Sequence, residues 1–167
     1  TSLSDIAILY RAHFHAMEIQ LEFTRRNIPY TITSGLRFFE QAHVKDVAAH
    51  LRLSVNAKDE VAFYRLARLL PGVGPKSATK MWQEVVGGRG LGQLKVPEKG
   101  AKGWMQMVNT LGQLTGKDPS EQVKIVVEGS YGDYIKSRYT NAANRMDDLR
   151  QLEDYATTFK ETAEFLA

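Results

Sequence analysis

The residues whose types and spacing suit chemistry best lie in one short string, Gly72-Val73-Gly74-Pro75-Lys76-Ser77-Ala78. Two glycines let a backbone turn tightly and let a phosphate approach with no β-carbon in the way. Pro75 suits the first position of a helix, where its missing N–H costs nothing. The free N–H groups of that first turn, with the helix dipole behind them, attract an anion. On such a helix Lys76 and Lys80 lie one turn apart on one exposed face and would bracket the same anion. Contacts of this kind place a protein on a nucleic-acid backbone without reading its sequence. The alternative is a tight αα-hairpin whose glycines serve packing alone.

The elements around the string must be helices for this chemistry to hold. Ala62, Leu66, Leu69 and Leu70 follow helical spacing, with Arg65 and Arg68 off that stripe as outer candidates for a backbone contact. Ala78, Met81, Trp82, Val85 and Val86 make the next stripe. The string with its flanks resembles the helix-hairpin-helix DNA-binding motif. Upstream, Val44, Val47, Ala48, Leu51 and Val55 predict another helix. Downstream, the glycines of residues 87–103 predict a flexible connection, and a helix is expected from Trp104. Asp118-Pro119-Ser120-Glu121 carries a cap, a proline and a carboxylate in the order that opens a helix, expected to run through Tyr134. A last helix is expected over about residues 143–159.

The first 34 residues read differently. Ile6-Ala7-Ile8-Leu9-Tyr10 is a continuous apolar run, as in a strand buried on both faces. Phe14, Met17 and Leu21 predict a helix that ends at Arg25-Arg26-Asn27, where cations meet the dipole and Asn tolerates a left-handed cap. Residues 29–33 read as a second short strand. One βαβ unit is too small to stand alone, so the fold class expected is mainly α, with a helical domain hung on a partial α/β piece.

Other chemistries fit poorly. Gly74-Pro75-Lys76-Ser77 looks like the end of a Walker A loop, but Pro75 separates glycine from lysine, Leu69 stands where the first glycine belongs, and a helix precedes it. A glycosylase built on such a hairpin, with Lys76 as nucleophile, would need an Asp a short way downstream; none lies between Asp59 and Asp118. His13 and His15 are spaced to point to different sides of a helix, which argues against a metal pair. Tyr131, Tyr134 and Tyr139 suit base stacking, but their spacing favours core packing. No catalytic site and no metal site is expected.

Composition narrows the class further. The 167 residues carry net charge +3 and no cysteine, which excludes a disulfide framework and thiolate metal sites and suits a reducing, cytosolic setting. No apolar run reaches the roughly 20 residues of a membrane span. Residues 45–104 hold eleven basic side chains against five acidic, while the last 23 residues are net acidic, which points to a polyanion bound at the middle of the chain. The start has no initiator Met and no signal-peptide pattern, as expected of a chain taken from something longer.

Several stretches together resemble the superfamily 1 DNA helicases of the UvrD/Rep/PcrA type. Ala7-Ile8-Leu9-Tyr10-Arg11 and Arg26-Asn27-Ile28-Pro29-Tyr30 are similar to a segment of the second, RecA-like motor domain. Gly35-Leu36-Arg37-Phe38-Phe39-Glu40, then Val44-Lys45-Asp46 and Leu51-Arg52-Leu53, resemble the passage into the accessory subdomain called 2B. Ala62-Phe63-Tyr64-Arg65, the Gly72-Val73-Gly74 turn, Tyr131-Gly132-Asp133-Tyr134 and Asn144-Arg145 follow in the family's order. The resemblance implies motor-domain residues 1–34, an accessory subdomain over 35–142 and a returning helix over 143–167. It implies a 3′-to-5′ motor serving repair, replication restart or recombination, with ATP and Mg held elsewhere in the parent and no cofactor in this chain. Expected partners are duplex DNA, the single-strand/duplex junction and the rest of the motor. Gly72, Val73, Gly74, Lys76, Ser77 and Lys80 are expected at duplex phosphates, and Tyr10, Arg11 and Arg37 near the single strand. A docking or regulatory module is the alternative role.

Overall fold

The computed structural model describes residues 2–10, 13–32 and 38–167, except the side chains of His13, Phe14, His15 and Met17. Two compact units divide the chain, residues 1–41 and 42–167.

In the first unit, helix α1 spans His13–Arg25. Its end follows the expectation: Asn27 takes a left-handed φ of 53°, and Glu22 accepts from Arg25 at 2.7 Å and also from Arg26. Over the described residues 6–10 and 29–32 neither flanking strand is formed. Among the described residues no strand occurs, and Ile6, Ile8 and Leu9 are 58%, 47% and 94% exposed. A strand exists only through hydrogen bonds to a neighbour, and no described segment supplies one. The expectation that rests on residues 33–37, including Gly35, lies outside the described residues.

The second unit is wholly helical. Helix α2, Ala42–Val55, is buried on nearly every side, with His43, Val44, Asp46, Val47, Ala49, His50, Leu51 and Leu53 all inside. Around it pack α3 (Glu60–Ala67), α5 (Glu98–Gln113), α6 (Pro119–Glu128), α8 (Ala142–Ala156) and α9 (Thr162–Phe165), while α4 (Pro75–Val86) lies on α3. Each buried Leu- or Phe-sized side chain contributes about 1.5–3 kcal/mol, so Leu51, Phe63, Leu66, Leu149 and Leu152 account for much of the cohesion.

Two expectations need correction here. Residues 87–103 are not a loose connection. They hold a 3₁₀ turn at Leu91–Gln93, a buried Leu94 and the first turn of α5, and Trp104 Nε1 donates to the Leu91 carbonyl at 2.8 Å. The helix expected from Asp118 to Tyr134 is two. Asp118 caps α6 through the Glu121 N–H at 2.9 Å, as expected, but the chain breaks at Gly129 before α7, Ser130–Arg138. The fold there is so close that a β-carbon on Gly132 would stand 2.2 Å from the Val127 carbonyl oxygen.

Candidate nucleic-acid interface

The turn between α3 and α4 is built from local rules. Asp59 caps α3 by accepting from the Ala62 N–H at 2.9 Å, and the helix tapers through Arg68. Gly72 then takes φ +77°, a left-handed conformation that side-chain-bearing residues rarely adopt. Gly74 is the N-cap of α4 and Pro75 opens it, as expected, and no side chain caps the first turn. Val73 points inward at 7% exposure, and Ala78, Met81 and Val85 form the buried face.

Under the turn lies an aromatic layer. Phe63 meets Trp82 at 5.1 Å and Trp104 at 5.6 Å between ring centroids. On the outside, Gly72, Gly74, Lys76 and Lys80 are exposed, and Ser77 is half-buried. Neither Lys76 nor Lys80 forms an ion pair with a described residue. Arg68 lies 5.7 Å from the Tyr64 ring centroid and stays exposed. The arrangement is a helix N-terminus with free N–H groups, an open approach and two uncommitted ammonium groups, which suits an oxyanion.

Arg65 is placed elsewhere. Its Nε donates to Asp46 Oδ1 at 2.6 Å and its Nη2 to the Ala42 carbonyl at 3.0 Å. Asp46 Oδ2 accepts from the Tyr131 hydroxyl at 2.7 Å, and His50 Nδ1 donates to the Asp46 carbonyl at 2.8 Å. Beside this cluster Arg145 donates to His43 Nδ1 at 2.8 Å, which leaves Nε2 to donate to Asp148 at 2.8 Å. Arg145 also covers the Tyr139 ring at 3.8 Å. His43 is fully buried and its ring nitrogens are both engaged, so this constellation braces α2, α3, α7 and α8 and does not face a substrate. Tyr131 is core, as its spacing implied, and burial and the Asp46 carboxylate push its hydroxyl pKa upward.

Burial also holds His50 below its ordinary pKa of 6.5, against the raising pull of the Asp46 carbonyl. The folded state therefore binds fewer protons than the unfolded chain just below that value. Stability is full above about pH 6.5 and falls as the pH drops towards the folded pKa, by at most about 1.4 kcal/mol per pH unit. Thermal melts from pH 7.5 to 5 should show this acid loss, and His50→Gln should flatten it; an equally steep loss in the variant would remove His50 as the cause.

Of the remaining expected contacts, Tyr10 is half-buried in the first unit, and Arg11 and Arg37 lie outside the described residues. Among the described residues no group of three or more His, Asp or Glu is placed to hold a metal ion, and no helix is long and apolar enough to cross a membrane. Sequence reasoning missed Lys99. Its Cβ lies 3.2 Å from where a β-carbon on Gly72 would be, so an exposed lysine of α5 borders the turn. The only local signal was a basic residue inside a glycine-rich stretch.

Residues 1–91 match the family described as UvrD-like helicase C-terminal domain. The chain belongs to that family. It is similar to the ATP-dependent DNA helicase PcrA of Staphylococcus epidermidis (strain RP62A), with 33% identity over 79 residues, 47% of this chain and 11% of that protein. The same holds for the ATP-dependent DNA helicase PcrA of Staphylococcus aureus (strain Mu50), with 33% identity over 78 residues, 46% of this chain and 11% of that protein. The match thus spans 11% of the length of these curated relatives. The region matched to the UvrD-like family contains the α3–α4 turn and ends before α5. Four residues that carried the family resemblance, Asp46, Arg65, Tyr131 and Arg145, belong to the polar braces, which gives them a structural reason to occur together.

Proposed function

We propose that this chain is the accessory part of an ATP-dependent 3′-to-5′ DNA helicase, and that its α3–α4 turn is a helix-hairpin-helix element gripping phosphates of duplex DNA at the single-strand/duplex junction. Residues 1–34 are then a segment of the RecA-like second motor domain, residues 35–142 the accessory subdomain and residues 143–167 the return towards the motor. ATP and Mg act in the motor cores of the parent, and this chain hydrolyses nothing by itself.

The observation that carries the reading is the open N-terminus of α4. Gly74 has an ordinary extended backbone, φ −90° and ψ −179°, and beyond the glycine and its two chain neighbours no atom lies within 4 Å of where its β-carbon would be. Neither conformation nor internal packing asks for glycine there, so the free space serves an approach from outside. Lys76 and Lys80 supply the charge, and Ser77 and the first-turn N–H groups the hydrogen bonds. Arg68 is an outer contact, and Arg65 supports the turn through Asp46.

The test is Gly74→Ser, read by fluorescence anisotropy with duplex, single-stranded and 3′-tailed junction DNA. A serine N-cap bonds an N–H of the first turn and should hold or raise stability by a few tenths of a kcal/mol, at most about 1. The same hydroxyl takes the donor meant for phosphate. Loss of one charge-assisted bond, about 1.5 kcal/mol or more, weakens duplex and junction binding roughly tenfold. An unchanged affinity would remove the hairpin from the interface.

A second reading has its own support. Leu3, Ile6, Ile8 and Leu9 are exposed apolar side chains in the first unit and suit docking against the rest of the motor. No DNA binding at low salt, with tight binding to the separate motor, would favour docking as the chain's own role.

A further inference from the structure

We propose that the first turn of α5 is a second arm of the phosphate-holding surface, with Lys99 as its contact residue. This rests on the reading of the α3–α4 turn as a DNA-gripping element and extends it to a segment beyond the region matched to the family.

Lys99 is tied to the turn by geometry. Its Cβ, Cδ and Cγ lie 3.2, 3.8 and 3.9 Å from the place a Gly72 β-carbon would occupy. The lysine stem therefore fills the room that Gly72 leaves, and any larger residue at 72 would be strained by its φ of +77° and would push Lys99 aside. A stem laid along the protein with its ammonium in water is how lysine holds a charge at a rim. That ammonium has three donors, and Lys99 forms no ion pair with a described residue.

The next residue fixes the arm. A β-carbon on Gly100 would stand 2.9 Å from the Pro71 carbonyl oxygen and 3.1 Å from Val73 Cγ2, and one on Gly103 2.8 Å from Leu70 Cδ2. The backbone of α5 thus lies directly on the turn, and Trp104, bonded to the Leu91 carbonyl and packed on Phe63, anchors the helix one residue further on. Lys102 is exposed one turn after Lys99 and lengthens the basic rim. Lys99 from α5 and the Lys76–Lys80 pair from α4 thus border the same turn, and in the proposed interface they lie along one DNA backbone.

The experiment compares Lys99→Gln with the unaltered 167-residue chain on a mixed-sequence duplex, over roughly 50 to 200 mM salt. Loss of one phosphate contact lowers the slope of log affinity against log salt by about 0.9, roughly eightfold in affinity at 0.1 M. Lys117→Gln is the control: Lys117 lies beyond the other end of α5, roughly 20 Å or more along its axis, and pairs with Glu121 at 2.7 Å. The expected result is a lowered slope for Lys99→Gln and an unchanged one for Lys117→Gln. If Lys76→Ala with Lys80→Ala weakens binding while Lys99→Gln keeps the full slope, the α5 arm is overturned and the hairpin reading stands. If neither change moves the affinity, the hairpin reading fails and takes the α5 arm with it.

Discussion

Replacing Lys76 and Lys80 together by alanine is expected to lower duplex affinity roughly sixtyfold at 0.1 M salt, with a salt slope smaller by about 1.8. The magnitude follows from removing at once the two ammonium groups that the proposed interface sets on phosphates, each worth about 0.9 of the log–log slope through counterion release. Both side chains are exposed and uncommitted, so the fold should not notice: surface substitutions of this kind stay within about 0.5 kcal/mol. The effect should be uniform across DNA sequences, because backbone contacts carry no base information. A melting temperature that drops with the affinity would show that the lysines act through the fold instead, and an unchanged salt slope would take them off the DNA.

The largest effect on stability should come from Asp46→Ala. This carboxylate is 2% exposed and receives both the Arg65 guanidinium and the Tyr131 hydroxyl. Its loss leaves a buried phenol with only the long bond to the His43 carbonyl at 3.4 Å and a partly buried cation without its counter-charge. Removing one partner of such a pair costs about 3–5 kcal/mol, less here because Arg65 keeps the Ala42 carbonyl and some solvent. A loss near 3 kcal/mol lowers the melting temperature by roughly 10 °C in a unit of this size. Asp46→Asn, which keeps acceptor and shape, should lose less. A fall of only a degree or two for the alanine variant would mean the brace is dispensable. Because the same pair holds α3 in place, DNA binding should weaken in step with unfolding and recover on cooling, unlike the lysine variant.

Much of the helical unit could be read from residue spacing. Val44, Val47 and Leu51, Ala62 and Leu66, and Ala78, Met81 and Val85 became the buried faces of α2, α3 and α4. Val55 and Val86 at the helix ends are exposed, and Leu69 and Leu70 lie past the end of α3. The cap at Asn27, the proline start at Pro75 and the cap at Asp118 fell where their chemistry put them. These are local signals, decided within one or two turns. The glycines of residues 87–103 were not decidable locally. A glycine marks either a pliable loop or a helix pressed against another backbone, and Gly100 is of the second kind only because Pro71, far back in the chain, lies against it. The same limit hid the partner of Arg65: its place off the apolar stripe suggested an outward contact, while Asp46 sits 19 residues earlier on another helix. The apolar run at Ile6–Tyr10 has strand composition, but composition supplies no neighbour for it to pair with.

The contact of Gly100 with the Pro71 carbonyl has a mechanical consequence. A surface turn joined to its domain only by its two ends would bend under load and dissipate a pull on the DNA. Here a force on Gly72 or Val73 passes straight into the backbone of α5, and through Trp104 and Phe63 into α3. Close-packed interiors yield little, so that route is stiff. The α3–α4 turn is therefore rigidly backed by α5, and on the proposed reading a rotation of the helical unit would be passed to a bound duplex through that contact.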